Sequence, residues 1–109
     1  MFKTDVYTFD SKYASYPVSL VRGFYGNGNK AVEFIDMDDG SQLLIATVNL
    51  GTVNPPDMIT IKDYGENAGV LKFLKEIGFV GEVDHYEQAG FAEVPVCRLT
   101  PEGLKFFED

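Results

Sequence analysis

The residue types that build most metal and nucleophile sites are nearly missing from this sequence. It holds one cysteine, Cys97, and one histidine, His85. A structural zinc site made of Cys and His takes about four such ligands, so none can be assembled here. Cys97 has no partner for an internal disulfide. It lies in Val94-Pro95-Val96-Cys97-Arg98-Leu99, an apolar run where a buried, inert thiol is expected. A lone cysteine also fits a reducing compartment. Tryptophan is absent. No apolar run approaches the length of a membrane span, and the start, Met1-Phe2-Lys3-Thr4-Asp5, lacks the apolar core of a signal peptide. These features predict a cytoplasmic protein. Cations are scarce too: nine Lys and Arg stand against seventeen Asp and Glu, a net charge of −8. A surface that neutralises nucleic-acid phosphates needs clustered Lys and Arg, and so does docking on an anionic membrane. Neither direct nucleic-acid binding nor membrane binding is therefore expected. The charge suits plain solubility or a basic partner.

The material for a core is present. The chain is 45% hydrophobic and 14% aromatic, with nine Phe and six Tyr. Its 109 residues match the usual size of one domain, and residues 1–109 read as a single domain without repeat, low-complexity tract or linker. Residues 1–15 carry Phe2, Tyr7, Phe9 and Tyr13, and read either as a short strand or as a loosely docked arm.

Residues 17–25 predict a strand in which Val18, Leu20 and Phe24 share one parity and Arg22 interrupts it. Gly26-Asn27-Gly28-Asn29 predicts a turn, and 31–37 the next strand. Asp38-Asp39-Gly40-Ser41 is the strongest hairpin signal. Residues 43–50 return as a third strand, whose Leu-Leu-Ile-Ala centre predicts an interior position. A loop with two prolines spans 51–57, and a fourth strand 58–62. Val70, Phe73, Leu74 and Ile77 recur at helical spacing, with Glu66 and Asn67 as candidate N-caps and Gly78 as the C-terminal glycine. Strands follow over 79–89 and 91–99, where Pro95 predicts an edge or a bulge. Thr100-Pro101-Glu102 then opens a short helix anchored by Leu104, Phe106 and Phe107. The expected fold is α+β: an antiparallel sheet of about five to six strands, one main helix packed on one face, and a short C-terminal helix.

No catalytic set emerges. His85, between Asp84 and Tyr86, has no nucleophile near it in sequence. The glycines of Gly23-Phe24-Tyr25-Gly26-Asn27-Gly28 lack the dinucleotide spacing and precede no helix. Asp36, Asp38 and Asp39 before Gly40 resemble the start of a calcium loop, but position 46, where a bidentate acid belongs, is alanine. Carboxylate pairs such as Glu33 with Asp36, or Glu82 with Asp84, have nothing that sets them across a cleft. No metal or cofactor is expected.

The distribution of charge says more. Between Lys30 and Lys62 lie five acids (Glu33, Asp36, Asp38, Asp39, Asp57) and no base. Between Lys75 and Arg98 lie five more (Glu76, Glu82, Asp84, Glu87, Glu93), again with no base. The rest of the chain holds seven acids against nine bases. If the two stretches were neighbours in the sheet, they would form a broad acidic face able to attract a basic protein or to imitate a phosphate array. The alternative is a solvated sheet face.

Two stretches carry a family resemblance. They are Lys62-Asp63-Tyr64-Gly65-Glu66-Asn67-Ala68-Gly69-Val70-Leu71, and Gly90-Phe91 through Val94-Pro95-Val96-Cys97-Arg98-Leu99. The chain resembles, over roughly residues 25–100, a domain of unknown function found in small acidic proteins of phages, plasmids and conjugative elements of gut Firmicutes. Gly65 stands where that family usually has Ser. The resemblance implies an accessory protein of a mobile element in a bacterial cytoplasm, and no cofactor or catalytic residue. Within the first stretch, Asp63, Tyr64, Glu66 and Asn67 either cap and orient the helix or form a recognition patch anchored by Tyr64.

The expected function is that of a non-enzymatic interaction protein binding a basic host or element-encoded protein, in one version as a DNA mimic or defence inhibitor. Its candidate partner-binding residues are Asp36, Asp38, Asp39, Asp63, Tyr64, Glu66, Asn67, Glu82 and Asp84. The competing expectation is a small-ligand sensor or sponge, with Phe24, Tyr25, Phe34, Tyr64 and Phe91 lining a pocket between sheet and helix. A homodimer through the Pro95 strand or through 58–62 is a further expectation.

Overall fold

The polarity pattern resolves into two antiparallel sheets rather than one. A computed structural model describes residues 5–108. Phe2 of the N-terminal stretch lies outside them. The first four strands are β1 (Tyr7–Asp10), β2 (Ser15–Phe24), β3 (Lys30–Asp36) and β4 (Gln42–Ile45), a meander in the order β1-β2-β3-β4. The other three are β5 (Met58–Thr60), β6 (Val80–Ala89) and β7 (Ala92–Leu99), ordered β5-β7-β6. A single 3-10 turn (Gly65–Asn67) leads to helix α1 (Val70–Glu76), and helix α2 (Pro101–Phe106) ends the fold. The α+β class and antiparallel pairing are as expected. Seven strands replace five to six, and the two helices, of seven and six residues, are near equals instead of one main helix and an appendage. The excess comes from β1, which settles the ambiguous N-terminal stretch as a strand, and from the division of the sheet.

Alternation places the core. Val18 and Leu20 of β2 and Val32 and Phe34 of β3 point inward with Phe9 of β1. Ile59, Val80, Cys97 and Leu99 face them from the second sheet, and α1 contributes Val70, Phe73 and Leu74. The rings of Phe9, Phe34 and Phe73 meet edge to face, with centroids 5.2–5.4 Å apart. Arg22, which breaks the inward parity of β2, reaches the end of α2. It donates to the carbonyls of Phe106 (3.2 Å) and Glu108 (2.6 Å), where a cation suits the helix C-terminus. A backbone bridge between Thr47 and Ile61 joins the sheets, with the Lys62 amide donating to the Ala46 carbonyl at 2.8 Å.

Three local expectations are corrected. The Leu-Leu-Ile-Ala strand is not interior: β4 closes one side of its sheet, and Ile45 is 46% exposed. Pro95 lies in the central strand β7, not at an edge, and the bulges fall on β6 instead. The Pro95 carbonyl accepts from the Ile61 amide, so its nitrogen faces the same side, where β5 has already ended at Thr60. The N-cap of α1 is Gly69 at φ 100°, not Glu66 or Asn67. A glycine tolerates that left-handed conformation, and the capping acceptor is instead the Asp63 carboxylate, which receives the Leu71 amide at 2.9 Å.

The helix ends follow their sequence signals. Gly78 takes φ 78°, the Phe79 amide donates to Leu74 and the Gly78 amide to Lys75, a Schellman closure. Thr100 caps α2 by accepting the Gly103 amide at 3.0 Å. Its hydroxyl donates to the Gly78 carbonyl at 2.6 Å, so one side chain ties the start of α2 to the end of α1.

Gly103 sits hard against this junction. A Cβ there would lie 2.2 Å from the Phe79 carbonyl oxygen. Gly103→Ala should cost about 2 kcal/mol in urea unfolding, the scale of overpacking a rigid site. Gly26→Ala, at a position with open space and no positive φ, should stay within about 0.5 kcal/mol. Equal midpoints for the two variants would contradict this packing. Cys97 is fully buried, and burial pushes its thiol up to about 11. Thiol reagents should therefore label it only as fast as the β5–β7–β6 sheet opens, which labelling across a urea series measures.

Candidate functional site

The acids that looked alike in sequence separate into different roles. In the β3–β4 hairpin, Asp36 Oδ1 accepts the Asp38 amide at 2.9 Å. Asp39 Oδ1 accepts the Ser41 amide (2.9 Å) and hydroxyl (2.7 Å), which holds its carboxyl below the usual value. Both are turn-forming side chains. Asp38 between them is exposed, and its carboxylate makes no hydrogen bond or ion pair with the described residues. Asp63 caps α1, as above. Asn67 is 4% exposed, and its amide donates to the Ile45 carbonyl at 2.6 Å. Tyr64 is 37% exposed, with the Lys62 ammonium 5.6 Å from its ring centre. Glu66 is exposed without a described partner.

Of the second acidic stretch, Glu76 lies on α1 and Glu93 on β7, and Glu82, Asp84 and Glu87 lie on β6, an outer strand of the three-stranded sheet. It is not a neighbour of β3 or β4, so the broad acidic face expected from adjacent strands does not form that way. Alternation along β6 also fails. The ladder shifts between Val80 and Val83 and again between Val83 and His85. The extra residue leaves Asp84, His85 and Tyr86 exposed in succession. It also turns Asp84 into a junction. Asp84 Oδ1 accepts from Arg98 at 3.0 Å and Oδ2 faces His85 Nδ1 at 2.8 Å. Arg98 reaches Asp57 at 3.5 Å on its other side, and His85 Nε2 faces Glu87 at 3.1 Å. Glu82, on the same strand, is exposed and outside this network.

Other features join residues far apart in sequence. Asn29 donates to Asn49 (3.0 Å) and to the Thr52 carbonyl (2.7 Å), and its oxygen accepts the Asn54 amide at 2.9 Å. This pins the proline loop to the β2–β3 turn. A cleft of about 240 Å³ opens beside the β1–β2 hairpin. Phe9, Tyr13 and Tyr16 come from that hairpin, Leu43 and Leu44 from β4, and Glu66 from the 3-10 turn. Only Glu66 of these was a candidate in the sequence. The others are brought together by pairing across the meander, and their one sequence signal was aromatic density near the N-terminus.

The five aromatics expected around one ligand pocket do not surround a common cavity. Phe34 is fully buried in the core, while Phe91 is fully exposed at the β6–β7 hairpin tip, in a two-residue loop whose Gly90 takes φ 64°. Of the two strands expected to dimerise, β7 is central, whereas β5 lies at one side of its sheet, with Ile61 just beyond it bridged to Thr47. Among the described residues no group of His, Cys, Asp or Glu is arranged to hold a metal ion, and no helix is long and apolar enough to cross a membrane. No protein-family model, curated protein or solved structure matches the chain. The resemblance to the mobile-element family thus rests on the quoted motifs alone.

His85 offers a direct check on this geometry. Both ring nitrogens lie within hydrogen-bond reach of a carboxylate, and only the imidazolium donates from both. The bond to Asp84, then that to Glu87, raises the His85 pKa above its ordinary 6.5. Because the folded value is the higher one, the stabilisation is complete below the unfolded pKa and is lost as pH rises through the folded value. The His85 ring protons should titrate in NMR with a midpoint above 6.5. Asp84→Asn should move that midpoint down, and a midpoint indifferent to the substitution would refute the pairing.

Proposed function

We propose that the protein is a non-enzymatic interaction protein that binds a basic protein through acidic side chains with no internal partner. The observation that supports this reading is the contrast among its candidate acids. Asp36, Asp39, Asp63 and Asp84 are engaged in turns, a cap or a charge network. Asp38, Glu66 and Glu82 are exposed with no described partner, on an acidic chain of net charge −8. Unpaired acids on a negative surface steer and orient a positive partner. By its family resemblance, that partner is a protein of a bacterial host or of the mobile element, and blocking a host protein is the activity this suggests. DNA mimicry draws less support. Duplex DNA presents a charge about every 1.7 Å of its axis, whereas these acids lie on a hairpin, a 3-10 turn and the outer strand of the other sheet.

The triple variant Asp38→Lys, Glu66→Lys, Glu82→Lys tests the reading without disturbing a described hydrogen bond. The wild type, immobilised in bacterial cytoplasmic extract, should retain a basic protein at about 0.05 M salt and release it at about 0.5 M, where screening shortens the reach of surface charge. The triple variant, with native circular dichroism, should retain at least tenfold less. The same proteins held equally by both would overturn the reading.

A further inference from the structure

The cleft at the β1–β2 hairpin has a composition that the net charge alone does not require. We propose that it receives an arginine side chain of the basic partner, an inference that rests on the interaction reading above. Its aromatic lining is graded from floor to rim. Phe9 is 1% exposed, Tyr16 is half-buried, and Tyr13 is 71% exposed. Leu43 and Leu44, both half-buried, offer apolar surface to the methylenes of a long cationic side chain. Glu66 supplies a carboxylate. A planar guanidinium is the cation that stacks on aromatic faces and also pairs with a carboxylate in a forked geometry.

Two further observations point to a cation. The chain already sets one on this lining: the Lys12 ammonium lies 5.2 Å from the centre of the Tyr13 ring. The Glu66 carboxylate has no hydrogen bond or ion pair with any described residue. Its backbone is nevertheless held in place, because Asn67, next in sequence, is buried and anchored on the Ile45 carbonyl beside Leu44. At about 240 Å³ the cleft is also smaller than the roughly 300–1,000 Å³ of sites that enclose whole small-molecule ligands. That size suits one side chain from a larger partner. A second apolar depression bearing an acid, around Glu33, is lined by Arg22, so an incoming cation there meets like charge.

The probe is a terminally blocked tetra-arginine peptide, titrated into the ¹⁵N-labelled protein, with the tetra-citrulline peptide as its uncharged counterpart. The expected result is amide shifts at Ser11, Tyr13, Tyr16, Leu43, Leu44 and Glu66 with arginine and not with citrulline. Glu66→Gln should weaken binding at least fivefold, and so should Tyr13→Ala, a change at an exposed ring that leaves the core intact. Lys12→Ala should bind as well as wild type or better, since it removes the competing ammonium. Charge-dependent shifts centred on Asp38 or Glu82 and indifferent to Glu66→Gln would overturn the cleft while leaving the acidic-surface reading standing. Equal binding of citrulline would overturn the cationic occupant. No charge-dependent shift at any residue would remove both.

Discussion

The contact of three phenylalanine rings is the constraint on which the rest of this structure depends. Phe9 comes from β1, Phe34 from β3 and Phe73 from α1, each pair edge to face with centroids 5.2–5.4 Å apart. Each such pair is worth about 0.5–1.5 kcal/mol beyond its burial. Position matters more than the sum. The four-stranded sheet has one apolar face, and α1 is only seven residues long, too short to be stable by itself. The helix persists because Val70, Phe73 and Leu74 bury against the sheets. The sheet in turn keeps its short first strand because Phe9 is held there. Phe9 also floors the cleft beside Tyr13 and Tyr16. The cleft therefore inherits the rigidity of the core, which lowers the cost of binding a side chain in it.

A fold of two sheets has a seam, and its polar groups show where the seam runs. The buried polar residues are Asn29, Thr47, Thr60 and Asn67. The Thr47 hydroxyl meets the Tyr25 hydroxyl at 3.0 Å, and Thr60 accepts from Asn54 at 2.9 Å. Asn67 reaches β4 from the 3-10 turn, and Asn29 gathers the proline loop. No buried side-chain polar atom among the described residues lacks a partner. An unpaired buried amide would cost about 1–3 kcal/mol. These side chains thus select one relative placement of the sheets over others that would bury the same apolar area. The single backbone bridge between Thr47 and Ile61 specifies little unaided.

What could be read in the sequence divides along the same line between local and distant. The Asp-Gly hairpin, the glycine after α1 and the Thr-Pro start of α2 were legible because each signal is complete within a few residues. The interior placement of β4 failed because a run apolar on both faces looks the same at the side of a sheet whose seam lies nearby. Pro95 reads as an edge or a bulge because the sequence does not show that β5 stops one residue short of it. Glu66 and Asn67 read as caps because an acid or an asparagine near a helix start commonly caps it, yet Asp63 reaches further and Gly69 takes the turn. Of the candidate site, individual acids were legible and their neighbours were not. The bulge that exposes Asp84, the asparagine set around Asn29 and the cleft lining are all products of pairing between distant segments.

Segregation of charge along a chain need not become segregation in space. The two acidic stretches contribute a hairpin to one sheet and the outer strand to the other. Arg98, the base that ends the second stretch, folds back between Asp57 of the first and Asp84 of the second. The one cation thus binds the two acidic segments together, and it draws on the carboxylates that the sequence made most conspicuous. Bases elsewhere are similarly placed: Lys30 donates to the Pro56 carbonyl at 2.6 Å, and Arg22 to the end of α2. An interaction surface has to be read from the charges that remain after these internal uses. Among those, Glu66 is set at the rim of an aromatic cleft. A partner recognised through such points must present cations at matching positions, which is a demand on shape. A diffuse negative field attracts any cation, whereas a carboxylate beside two tyrosines discriminates among them.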